Sequence, residues 1–119
     1  MSRKTRQIEF EARERWPQLF QFCACYLGQD HVYEFGTLDA AVDRAVSDYD
    51  DTMLKNVAIE WWDWNISRGS HEDPRDWIGA LGVNRLWDGP QEARAFMNSL
   101  YDKVIAQIRQ NDRYWRPGK

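Results

Sequence analysis

The sequence predicts an all-helical fold, a single domain over 1–119 built as a compact bundle of about five helices around a tryptophan-rich central one. Two observations predict it: apolar residues recur at helical spacing along most of the chain, and proline and glycine fall where helices begin and end. No convincing strand pair competes. At 119 residues the chain is above the size at which a core needs disulfide or metal staples and too short to split comfortably in two. Its composition, 43% apolar and 29% charged, is that of a soluble globular protein, and seven tryptophans supply large aromatic area for a core or an interface.

The elements follow in order. RKTRQIEFEARER reads as helical up to the residue before Pro17, where the backbone is pushed toward extended conformations, with residues 1–14 open to fraying. A helix starts at Pro17, whose fixed φ suits the first helical turn, and ends near Gly28; Trp16, Leu19, Phe20, Phe22, Cys23, Tyr26 and Leu27 keep helical spacing. GQDHVYEFG reads as a loop. Thr37 is the expected N-cap of the next helix, on which Leu38, Ala41, Val42, Ala45, Val46 and Tyr49 form an inner face.

Asp50 or Asp51 caps the third long helix. Leu54, Val57, Ala58, Trp61, Trp62, Trp64 and Ile66 cover most of its circumference and leave a polar strip of Thr52, Asn56, Glu60 and Asp63, the pattern of a central helix. A break over 69–72 precedes Asp73 at N-cap and Pro74 at N1 of a short helix that Gly82 ends. The same grammar at Asp88, Gly89 and Pro90 opens a long helix running to Ile108, expected to pack against the central one. DRYWRPGK, within 111–119, reads as a frayed tail.

Candidate chemistry is sparse. Cys23 and Cys25 lie two residues apart, so on a helix they point about 200° from each other and cannot chelate one ion together. Cys23 reads as core filling and Cys25 as a bystander on the outer face, and tetrahedral zinc would need further ligands that His31 and His71 hardly supply. Glu60 and Asp63 fall within about 60° of each other around their helix and are the one carboxylate pair worth weighing for catalysis; a partner from a neighbouring basic side chain is the plainer role for Glu60. His31 beside Asp30 and His71 in GSHED form no dyad, and no Gly-rich phosphate loop, His-x-x-x-His pair or calcium loop occurs. No catalytic residue, cofactor or metal site is assigned.

Charge is distributed unevenly. Residues 1–15 carry five basic and three acidic side chains, residues 30–63 nine acidic and two basic, and residues 64–119 nine basic and seven acidic, local balances of +2, −7 and +2. An acidic middle disfavours nucleic acid and favours a basic partner. Asp39, Asp43 and Asp50 fall within about 40° around one helix, where like charges are mildly destabilising, so the fold alone gains nothing from them. With Asp30, Glu34, Asp48 and Asp51 they form the expected docking charge, and Tyr33 and Tyr49 are the expected aromatic anchors. No apolar run reaches the ~20 residues of a membrane span, and the charged start lacks a signal-peptide core, so a cytoplasmic protein is expected.

The frame W-P-x-L-F-x-F-x-x-x-Y-L-x-Q-D, at Trp16, Pro17, Leu19, Phe20, Phe22, Tyr26, Leu27, Gln29 and Asp30, resembles the start of a family of contact-dependent growth inhibition immunity proteins. Similar too are the acidic aromatic loop that follows, the helix LDAAVDRAV, and Glu60 before Trp61 and Trp62. The likeness covers 14–66 and is faint beyond; family members often carry an aromatic and a histidine before Gln-Asp, where this chain has Leu27 and Gly28. The resemblance implies a non-enzymatic protein that binds the toxin domain delivered by neighbouring bacteria, commonly a nuclease, in a one-to-one complex. The frame itself is structural and does not point to contact residues. Two other readings stand beside it: a helical adaptor with an apolar groove for a peptide or small protein, and a carboxylate-dependent hydrolase with Glu60 and Asp63 exposed and converging.

Overall fold

A computed structural model describes residues 3–28, 30–70 and 73–118, with the backbone alone for 31 and 32. Gln29, His71 and the side chain of His31 therefore lie outside the described residues. The helices are α1 (Arg3–Arg15), α2 (Pro17–Leu27), α3 (His31–Phe35), α4 (Leu38–Asp48), α5 (Asp51–Trp64), α6 (Pro74–Ala80) and α7 (Pro90–Asn111), with a π-helical turn over Asn65–Gly69. Among the described residues the class is all-helical, as predicted, but the count is seven instead of about five. One extra helix, α3, lies in the segment read as a loop; five residues are too few to show a helical period. The other is α1, read from the sequence as helical but left out of the five; its Ile8 and Ala12 are buried and it packs on α6.

α5 is central: α2 lies on one side and α7 on the other. It buries Leu54, Val57, Ala58, Trp61 and Trp64. The buried residues of the helices form one cluster, and the radius of gyration is 13.7 Å, that of a compact body of this length. Most helix starts are those read from the sequence. Thr37 accepts from the Ala40 N–H at 3.1 Å, Asp50 from Met53 at 2.8 Å and Asp73 from Arg75 at 3.0 Å, each satisfying an amide that the first helical turn leaves open. At α7 the cap is Gly89, without a side-chain bond; Glu92 instead reaches back to the Asp88 N–H.

One expectation about packing is corrected. α5 is not buried over most of its circumference, because Ile59 and Trp62 are exposed on its outer face, as is Ile66 on the π turn that follows. In the tail Trp115 packs against the core, and Arg109 donates through Nε to its carbonyl at 3.2 Å. The π turn has a visible cause. A Cβ at Gly69 would stand 2.5 Å from the Trp64 ring, so the bare glycine backbone lets the indole lie against the widened turn, which Ser70 closes onto the Asn65 carbonyl.

Gly82 ends α6 with φ +93°, and a Cβ there would meet Ala24 at 2.8 Å. Gly79, three residues earlier on the helix, is exposed with open space beside it. Alanine is therefore expected to destabilise at 82 by about 2 kcal/mol and to stabilise at 79 by about 0.5–1 kcal/mol, opposite shifts in urea midpoint.

Candidate partner-binding surface

The carboxylate pair on α5 is committed to the fold. α2 begins without a side-chain cap of its own: Trp16 is the N-cap and Pro17 occupies N1. The Gln18 and Leu19 N–H groups donate to one Glu60 oxygen at 2.7 and 2.9 Å. Asp63 accepts from the indole N–H of the fully buried Trp16 at 2.7 Å and from Arg15 at 3.2 Å. Glu60 thus pairs with backbone amides instead of a basic side chain, and neither carboxylate lines any of the larger clefts described below. Burial pushes the Glu60 carboxyl up from its ordinary value; its two backbone hydrogen bonds oppose that and the neighbouring Asp63 adds to it.

The expected docking residues separate into two groups. Asp43 pairs with Lys103 of α7 at 2.9 Å, and Lys103 also donates to the Asp39 carbonyl at 3.4 Å. Asp48, about 140° round the helix from Asp43, faces α2 instead. It accepts from the Tyr26 hydroxyl at 2.9 Å and from Arg44 Nε at 3.0 Å, contacts that hold its carboxyl low; burial and the same hydrogen bond push the Tyr26 hydroxyl up to about 12. Asp50 leaves the predicted face altogether, because α4 ends at Asp48 and extended backbone carries Asp50 to the start of α5. Asp51 accepts from Asn111 at 3.0 Å. These contacts correct the expectation that the fold gains nothing from the acidic residues.

The Asp30, Glu34 and Asp39 carboxylates have no hydrogen-bond or ion-pair partner among the described residues, and all three are exposed. Tyr33 is 92% exposed, as an anchor requires. Tyr49 is only half-exposed, its ring set edge-on to Phe22 at 5.2 Å between centroids. An open groove of about 640 Å³ lies over α2, α3 and α4, with Tyr26, Phe35 and Tyr49 as aromatic wall and Glu34, Asp48 and Arg44 among its polar lining. A smaller recess of about 100 Å³ shares Tyr26, Glu34 and Phe35 with it and reaches Asp30. Sequence reading missed Leu86, 97% exposed, in the connection between α6 and α7. That connection is held to the end of α2 by the Asn84 N–H donating to the Leu27 carbonyl at 2.9 Å. Such a loop carries no periodicity to mark it.

A second cleft, about 540 Å³, lies between α1 and α6 and carries mixed charge, with Arg68 donating to both Glu11 oxygens at 2.9 and 3.1 Å. Cys23 is buried and Cys25 exposed, both as free thiols, and burial drives the Cys23 thiol well above its ordinary value. Among the described residues no group of three or more His, Cys, Asp or Glu is placed to hold a metal ion, and no helix is long and apolar enough to cross a membrane. No family model, curated protein or solved structure matches this chain.

Replacing Glu60 by alanine leaves two amides without an acceptor and is expected to cost about 1–3 kcal/mol, whereas Glu60→Gln keeps an acceptor oxygen and loses less. The raised carboxyl also sets a pH dependence. Where the folded protein holds a proton that the unfolded chain has released, stability falls with rising pH. The wild type is therefore expected to lose ground to Glu60→Gln as pH rises above the ordinary carboxylate range. Asp73, held at about 2 by Arg75, works in the other direction: its contribution is present above the ordinary carboxylate range and is lost as pH falls toward about 2. Paired urea titrations of wild type, Glu60→Gln and Asp73→Asn across that range check both signs.

Proposed function

We propose that this protein is an immunity protein of the contact-dependent growth inhibition kind, which neutralises a basic toxin domain by a one-to-one complex. The observation that carries the proposal is the set of acidic side chains the fold does not employ. Asp30, Glu34 and Asp39 stand exposed on and around α3 and α4 with no internal partner among the described residues, and the Tyr33 ring, next to Glu34 in the chain, is exposed as well. A negative surface with an aromatic anchor suits a protein whose own ligand is a polyanion, since it competes for the same basic cleft and accelerates encounter. Occlusion needs no catalytic group. The frame that resembles the family supports this indirectly, because Glu60 caps the helix that Trp16 and Pro17 open.

A second reading, the helical adaptor, draws on Ile59, Trp62 and Ile66, spaced as one exposed apolar stripe along α5 and its π turn. The two readings separate by substitution, since Trp62→Glu disables the adaptor stripe and spares the acidic surface.

Co-expression with the C-terminal domain of a toxin encoded beside this chain is expected to give a copurifying complex with suppressed toxin activity; no complex would refute immunity. Within such a complex, Tyr33→Ala is expected to weaken binding about tenfold. Asp39→Lys is expected to slow association and flatten its dependence on salt, read by surface plasmon resonance at low and high ionic strength.

A further inference from the structure

We propose that the groove over α2, α3 and α4 binds an arginine side chain of a protein partner, its guanidinium paired with Glu34 and its flat face set against the aromatic wall. This rests on the reading that the partner is basic, and goes beyond it by naming the ligand group and its seat.

Charge complementarity identifies the occupant. Glu34 and Asp48 line the groove and Asp30 the recess that continues it, against Arg44 as the one cation among the described lining residues. Arg44 is already spent on Asp48, donating through Nε at 3.0 and 3.1 Å to its two oxygens. Glu34 and Asp30 remain uncompensated among the described residues, so the site lacks one positive charge at the Glu34 end.

The wall distinguishes arginine from other cations. Elsewhere in the chain aromatic rings carry guanidinium groups: Arg13 lies over Phe20, Arg15 over Trp16, Arg68 over Trp77, Arg85 over Trp87 and Arg113 over Tyr114, at 4.7–5.6 Å from the ring centres. Tyr26, Phe35 and Tyr49 carry none among the described residues, although they line the same groove as the uncompensated Glu34. They are held as a unit, Tyr26 stacked on Phe35 at 5.8 Å and set edge-on to Tyr49 at 6.1 Å. A planar guanidinium meets a ring face and a carboxylate at once, whereas a compact, strongly hydrated ammonium gains less from the ring.

The test uses a capped Gly-Arg-Gly tripeptide titrated into the ¹⁵N-labelled protein, with lysine and citrulline counterparts. Shifts are expected to concentrate at Tyr26, Glu34, Phe35 and Tyr49, to weaken with lysine and to vanish with uncharged citrulline. Glu34→Gln, an exposed change that leaves folding intact, is expected to weaken the arginine peptide about three- to tenfold. Equal shifts with citrulline, shifts centred on the α1–α6 cleft, or unchanged binding by Glu34→Gln would overturn the groove. No toxin enters this titration. Intact peptide binding with no toxin complex overturns the immunity reading alone, and toxin protection with no peptide binding overturns the groove alone.

Discussion

The joint between α2 and α5 is the contact on which the rest of the structure depends. A helix start leaves four backbone amides without helical partners, and at α2 every one is accounted for. The Trp16 N–H completes α1 by donating to the Ala12 carbonyl at 3.0 Å, Pro17 has no N–H to satisfy, and Gln18 and Leu19 donate to Glu60. The cap comes from a side chain some forty residues away in sequence. It therefore fixes the direction of α2 and its position along α5 together. Asp63 adds a second tie through the Trp16 indole, and both carboxylates sit where the positive end of the α2 dipole favours negative charge.

From that joint the other elements take their places. With Glu60 and Asp63 turned to the start of α2, Trp61 and Trp64 of the same helix are directed inward, Trp61 stacking on Tyr101 of α7 at 4.2 Å between ring centres. The Trp64 ring fills the space left by Gly69, and the widened turn that follows presents Arg68 to Glu11 of α1 and to the Trp77 ring of α6. The outer face of α5 and its π turn is what remains, and it carries Ile59, Trp62 and Ile66 into solvent. At its far end α2 receives the connection after α6 and releases the chain into α3, so the same helix that anchors the core supplies Tyr26 to the groove wall.

What could be read from the sequence was local. Thr37, Asp50 and Asp73 were legible as caps because donor and acceptor lie two or three residues apart, and the Pro17, Pro74 and Pro90 starts because proline acts on its own residue. Glu60 as the cap of α2 was not legible, since nothing in EWWDW says which amides forty residues upstream will face it. The same limit produced the acidic face. Helical phase places Asp50 beside Asp39 and Asp43 only if α4 continues, and the Asp50 side chain itself helps end it by capping α5. Asp48 was placed in the docking field on charge, but its direction toward Tyr26 depends on how α2 crosses α4.

The negative charge of the middle segment consequently has two physical meanings. Asp43, Asp48, Asp50, Asp51, Glu60 and Asp63 are each tied to a lysine, arginine, asparagine, tyrosine, tryptophan or backbone donor, and their charge is largely spent within the fold. Asp30, Glu34 and Asp39 contribute no such bond among the described residues. On α5 one oxygen of Glu60 and one of Asp63 are engaged at the start of α2, so this pair serves the packing of the two helices. A binding protein needs charge that is not compensated internally, because only that part of the field extends to a partner. The carboxylates around α3 and α4 are of the second kind, and two of them, Glu34 and Asp30, line the open groove and the recess beside its aromatic side chains.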